Sequence, residues 1–137
     1  MIHEIVNGVY ISDFDSAFNN DALNKLQITH ILNVASEINV YERVGYAYCK
    51  YGVPDDDPNY DISKSLLFWA NHIKTVKAQG GRILVHCWEG LSRSVCAILA
   101  YMTTTEDWSM ERAVDHISKK KQIDVFPKYM DSCESLR

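Results

Sequence analysis

Apolar and polar positions alternate in short runs over the first part of the chain and lengthen into helical stripes after residue 60. EIVNGVYIS sets β-type residues on either side of Asn7 and Gly8, a dipeptide suited to positive φ in a tight turn, and predicts a small antiparallel ribbon. A polar segment around Ala17 to Leu26 predicts a helix. HILNVA, YAYCKYGV and RILVHC, rich in β-branched and aromatic residues, predict three strands. Between the last two, Leu66, Trp69, Ala70, Ile73 and Val76 fall at helical spacing; Asp61 or Ser63 can cap this helix, and Gly80 and Gly81 end it. SVCAILAYM is apolar nearly all round, as a helix inside a domain should be. WSMERAVDHISKKK offers Ser109 as a cap, Met110, Ala113, Val114 and Ile117 on one face, and terminal lysines that suit the helix dipole. Pro127 marks the start of a short last helix.

This order of elements predicts an α/β fold, a central mostly parallel sheet flanked by helices on both faces. With 137 residues, 47% of them hydrophobic, the chain can bury one sizeable core, and a single domain over 1–137 is expected. The balance of 14 basic and 18 acidic residues, a net charge of -4, argues against long-range attraction to nucleic acid or acidic lipid. No apolar run approaches a membrane span, and MIHEIVNG lacks the basic flank and apolar stretch of a signal peptide. A soluble, cytoplasmic monomer with possible nuclear access is the expectation. Cys49, Cys87, Cys96 and Cys133 form no CxxC pair, and His3, His30, His72 and His116 join no metal-ligand pattern. Free thiols are therefore expected, with no metal and no cofactor.

The chemistry concentrates in LVHCWEGLSRS, residues 84–94, where a predicted strand gives way to a predicted helix. Successive backbone N–H groups in such a turn form an anion-binding concavity, and the helix N-terminus adds its positive end to the same point. Gly90 lets the backbone curl, and Arg93 can return its planar fork to two oxygens of a phosphoryl group. That environment lowers thiol pKa values to roughly 3.5 to 7.5, which predicts Cys87 as a thiolate nucleophile aimed at phosphorus. A covalent phosphocysteine would split ester hydrolysis into two displacements, with the loop amides and Arg93 stabilising the equatorial oxygens. Ser94 can assist the departing thiolate, and His86 is read as a brace for the loop. The leaving group needs an acid, and GVPDDDPNYD supplies candidates on a loop stiffened by Pro54 and Pro58. Its strand is expected beside the one feeding the cysteine loop, at the end of the sheet where open α/β folds bind ligands.

HCWEGLSRS fits the HCxxGxxR(S/T) signature of the cysteine-dependent protein tyrosine phosphatase superfamily, and the chain resembles its small dual-specificity branch. THILNVA, VPDDDPNYDIS and LAYMTTTEDWSMERAVDHI resemble other segments of that branch. The resemblance implies a dual-specificity phosphatase-like fold and a phosphorylated protein as substrate. Cys87 would be the nucleophile, with phosphate held by Trp88, Glu89, Gly90, Leu91, Ser92 and Arg93, and Ser94 assisting. Asp56, thirty-one residues before Cys87, matches the family spacing for the acid; counting from Pro54 favours Asp57 instead, and Asp55 is the other neighbour of Asp56. Asp56 is the choice. The chain lacks the recognition loop that deepens the pocket of larger tyrosine-only enzymes, which implies action on phosphoserine and phosphothreonine as well as phosphotyrosine. Two departures stand out. Glu89 replaces an alanine common in relatives and should disfavour polyanionic inositol lipids; KKKQIDVFPKYM lacks the arginine and the PNxGF pattern often found there. The rival readings are a phosphatase of lipid or RNA phosphates, which should ring the loop with basic residues, and a phosphopeptide-binding module, which would not need Cys87.

Overall fold

Five strands, β1 (Ile2–Val6), β2 (Val9–Ser12), β3 (His30–Ala35), β4 (Ala47–Val53) and β5 (Ile83–His86), form one sheet in the order β1-β2-β5-β3-β4. The structure is a computed structural model and describes residues 1–39 and 44–136. Only β1 runs antiparallel to its neighbour; the β2–β5, β5–β3 and β3–β4 pairs are parallel. Among the described residues the α-helices, in chain order, are α1 (Asn20–Lys25), α2 (Ser63–Ala78), α3 (Arg93–Thr105), α4 (Met110–Lys120) and α5 (Pro127–Glu134). None is long and apolar enough to cross a membrane.

Strand periodicity sorts the core to two faces. Tyr10, Ile31 and Leu84 pack with Ala17, Leu23 and Ile28 under α1 and a 3-10 turn at Ser16–Phe18. Ile11, Leu32 and Val85, one register position on, face the larger cluster formed with α2 to α5. Every residue of β5 is buried, as a parallel strand covered on both sides requires. Helix α3 is buried from Arg93 to Met102, in agreement with its apolar circumference. Ser109 caps α4 by accepting from the Arg112 N–H at 3.1 Å, and Asp61 accepts from the Ser63 N–H at 2.9 Å where α2 begins.

Three details depart from expectation. In the first turn only Gly8 has positive φ (78°), and the β1–β2 register shifts between Glu4 and Val6, so the doubly left-handed hairpin turn does not form. The Gly8 N–H is taken instead by Glu4 Oε2 at 3.0 Å. The single helix expected over 17–26 is broken at Asn19, whose side chain turns back to accept from the Ala22 N–H at 3.1 Å and starts α1 afresh. Finally, β4 does not lie beside β5; β3 separates them. β3 is apolar enough to be buried on both faces, whereas β4 exposes Lys50 and Tyr51, and a lysine-bearing strand with an open side suits a sheet edge. Because all three run parallel, the C-terminal ends of β4 and β5 still share one end of the sheet. Trp69 Nε1 ties the edge to α2 by donating to Tyr51 O at 2.6 Å.

Candidate active site

Residues 87–92 connect β5 to α3 and place Cys87 at the base of a cavity, 3% exposed. Its Sγ lies 3.1 Å from Ser94 Oγ and accepts from the Gly90 N–H at 3.2 Å. Gly90 has φ +76°, and a Cβ there would stand 2.9 Å from Ser12 O, so both backbone conformation and the nearness of β2 call for glycine. The loop carbonyls are held from outside: Trp88 O accepts from the Phe14 N–H at 2.9 Å, Leu91 O from the Asp124 N–H at 2.9 Å, and Gly90 O from Lys121 Nζ. Ser92 Oγ accepts from the Phe126 N–H at 3.0 Å. His86 is fully buried and its Nδ1 lies 3.3 Å from Cys87 O. A carbonyl only accepts, so this contact is a hydrogen bond in the tautomer that carries its proton on Nδ1.

Arg93, 2% exposed in the first turn of α3, is gripped by a residue that the motif does not contain. Its Nη1 and Nη2 donate to the two carboxylate oxygens of Glu37, each at 2.6 Å, and Nη1 also donates to Val53 O at 2.9 Å. Those bonds use three of the five guanidinium hydrogens. Nε–H and the second Nη2–H lie side by side, an edge matched to two oxygens of a tetrahedral anion and ion-paired here with Asp55, whose Oδ1 is 3.6 Å from Nη2. Hydrogen bonding from Arg93 holds the Glu37 carboxyl below the usual carboxylate range. Glu37 reaches this place because buried Asn33 folds the chain back after β3: its Nδ2 donates to Ile38 O at 3.0 Å and its Oδ1 accepts from the Ala35 N–H at 2.9 Å. A buried-type strand interrupted by asparagine was the only signal for Glu37.

The three aspartates after β4 do different things. Asp55 and Asp56 line the cavity of about 160 Å³ that also contains Cys87 and Arg93. Asp56 has φ +41°, and its carboxyl is pushed up first by burial and then by Asp55, with Asp124 and Glu89 adding and Arg93 opposing. Asp57 instead turns its carboxylate to the Asn59 N–H at 2.9 Å. The loop is stapled by buried Tyr129 of α5, whose hydroxyl donates to Pro54 O at 2.6 Å and accepts from the Asp57 N–H at 3.3 Å. The sequence pattern singles out neither Tyr129 nor Lys121 for the site.

At the rim, Trp88 is 51% exposed and stacks on Phe14, centroids 5.0 Å apart. A hollow of about 290 Å³ adjoins this pair, walled by Asp13, Asp15 and Glu89. The cavity thus combines a sulfur met by an amide hydrogen and a hydroxyl, a guanidinium edge, and a carboxyl whose pKa is raised above the ordinary carboxylate value.

Comparison with known proteins gives matches in both sequence and fold. Residues 9–132 match the family model described as dual specificity phosphatase, catalytic domain. Protein phosphatase Slingshot of Drosophila melanogaster is 31% identical over 121 residues, which is 86% of this chain and 11% of that protein. Dual specificity protein phosphatase 1 of Arabidopsis thaliana is 31% identical over 121 residues, 87% of this chain and 60% of that protein. The chain therefore spans less than two thirds of the length of these relatives. A mouse putative dual specificity phosphatase crystallised with zinc tungstate superposes with a TM-score of 0.90 at 21% identity, covering 98% of this chain and 84% of that one.

Proposed function

Because this chain belongs to the dual-specificity phosphatase catalytic-domain family, matching it over residues 9–132, we propose that it hydrolyses phosphate monoesters on proteins through a phosphocysteine intermediate. The observation that carries the reading is the juxtaposition of Cys87 Sγ, under the Gly90 N–H and Ser94 Oγ, with Arg93 and Asp56 in one cavity.

In the first displacement the Cys87 sulfur attacks phosphorus as the ester oxygen departs, taking its proton from the Asp56 carboxyl. The loop amides and the Nε–Nη2 edge of Arg93 hold the three equatorial oxygens, the anion taking the place of Asp55 beside Nη2. In the second, water attacks phosphorus and gives a proton to the Asp56 carboxylate, the sulfur leaves as thiolate, and the Ser94 hydroxyl donates to it. The products are the alcohol or phenol and inorganic phosphate, and the enzyme returns to its starting protonation.

The small cavity with exposed Asp56, Trp88 and Glu89 at its mouth supports access by phosphoserine and phosphothreonine as well as phosphotyrosine. The acidic surroundings, with Asp13, Asp15, Asp55, Asp124 and Glu89, favour a phosphoprotein over an inositol lipid or RNA, whose own charges they would repel. A reducing compartment such as the cytoplasm suits four free thiols.

The test is turnover of an aryl phosphate by wild type, Cys87→Ser and Asp56→Asn, with and without a chelator. The reading expects Cys87→Ser to be inactive, Asp56→Asn to be slowed about a hundredfold or more, and the chelator to change nothing. Near-normal turnover by Cys87→Ser ends it.

A further inference from the structure

Resting on that reading, we propose that Lys121 is a positioning residue that keeps the phosphate-binding amides of the loop turned inward by holding the Gly90 carbonyl outward. In a trans peptide the C=O and N–H point in opposite directions, so fixing a carbonyl on the outside of the loop aims the following amide hydrogen at its centre. The Trp88 and Leu91 carbonyls are fixed in this way by backbone donors, Phe14 N–H and Asp124 N–H. The Gly90 carbonyl is fixed by a side chain, Lys121 Nζ.

That peptide is also the one with most freedom to turn. Gly90 has no Cβ and sits at φ +76°, where its backbone can change ψ at little steric cost. A rotated 90–91 peptide would carry the Leu91 N–H away from the anion and bring a carbonyl oxygen towards it, replacing attraction with repulsion. Lys121 stands where α4 ends, its own N–H bonded to Ile117 O at 3.0 Å and its Nζ also donating to Gln122 O at 2.7 Å. It opens a strap whose Asp124 and Phe126 amides bond Leu91 O and Ser92 Oγ, so the lysine arrives with the rest of the loop's outer support. Burial pushes the Lys121 ammonium below the ordinary lysine range, with Cys87 and Asp13 opposing, as expected for a cation spent on an internal carbonyl rather than on solvent.

The experiment measures binding of inorganic tungstate by calorimetry and the Leu91 amide resonance by NMR, alongside aryl phosphate turnover, in wild type, Lys121→Met and Lys121→Arg. In the methionine variant tungstate binding should weaken about tenfold, kcat/KM should fall in parallel, and the Leu91 amide shift that tungstate induces in wild type should be lost. The arginine variant should recover binding and shift. Tungstate binding and a Leu91 response in Lys121→Met equal to wild type overturn the proposal while leaving the phosphatase reading intact. Failure of wild type to bind tungstate and to turn over aryl phosphate overturns both. Should the methionine variant not fold, Lys121→Leu, which likewise has no donor, is compared in its place: weakened binding supports the role of Lys121, and wild-type binding overturns it.

Discussion

Arg93 at the start of α3 and Glu37 in the turn after β3 form a two-bond fork, both N–O distances 2.6 Å, across 56 residues of chain. The pair is asymmetric: Arg93 is 2% exposed and Glu37 40%. Removing the carboxylate leaves a buried guanidinium half-paired and free to swing. Glu37→Gln should lower kcat/KM for an aryl phosphate about tenfold to a hundredfold, chiefly through KM, and destabilise the fold by about 1–3 kcal/mol. The pH dependence has a definite sign. Arg93 depresses the Glu37 pKa in the folded state, so the pair's contribution is full above the ordinary carboxylate range and is lost as pH falls through the depressed value. Urea unfolding of both proteins as a function of pH checks this, because the stability gap should close only on the acidic side.

On the proposed role of Asp56 as general acid, that residue sets the basic limb of the activity profile. A general acid must be protonated, so activity should fall as pH rises through its pKa, which burial and Asp55 push up. Asp56→Asn should flatten that basic limb and slow a poor leaving group about a hundredfold or more, and a good one much less. Removing a neighbouring negative charge by Asp55→Asn should lower the Asp56 pKa and move the limb to lower pH. Asp57→Asn should leave the limb where it is, since that carboxylate is occupied by the Asn59 N–H. A larger loss in Asp57→Asn than in Asp56→Asn would reassign the acid.

The contrast between these residues shows what the chain discloses by itself. Cys87, Gly90, Arg93 and Ser94 lie within eight positions on one strand-to-helix turn, so chain connectivity alone keeps them near one another. The stripes of α2 and the apolar circumference of α3 were equally readable, because burial imprints a period. Glu37 and Tyr129 act on partners 56 and 75 residues away, and a single polar residue that bonds across such a distance leaves no periodic trace. Asp55, Asp56 and Asp57 differ in surroundings through a left-handed φ at Asp56 and a turn in which Asp57 holds the Asn59 N–H, geometry that residue counting does not resolve. Succession along the chain suggests that β4 adjoins β5, while the burial demanded by β3 puts β3 between them.

Tyr129 offers a test of the acid loop that leaves the phosphate loop alone. Its hydroxyl bridges Pro54 O and the Asp57 N–H, the two ends of the segment that carries Asp55 and Asp56. Tyr129→Phe keeps the buried ring and its edge-on contact with Phe126 while deleting the bridge. A lost hydrogen bond of about 1 kcal/mol predicts a fall in kcat of about fivefold with a poor leaving group, with tungstate affinity unchanged. If tungstate affinity falls with kcat, the hydroxyl supports the whole site and not the acid loop in particular.

The rim makes the last prediction, on substrate sequence. Asp13, Asp15 and Glu89 border the hollow beside Trp88, while Asp55 and Asp124 border the cavity itself. A phosphopeptide must bring its own charge through this field, and arginine beside the phosphoresidue can offset it by meeting the carboxylates and stacking on the exposed indole. Exposed ion pairs contribute little singly, so an arginine-flanked phosphopeptide should exceed a glutamate-flanked one in kcat/KM by about threefold to tenfold at low salt. The ratio should shrink towards one as ionic strength approaches about 0.5 M, where screening confines such interactions to a few ångströms. Asp15→Lys should lower the ratio further. A glutamate-flanked peptide that is cleaved as well as its arginine counterpart at low salt would show that the rim carboxylates do not select the substrate.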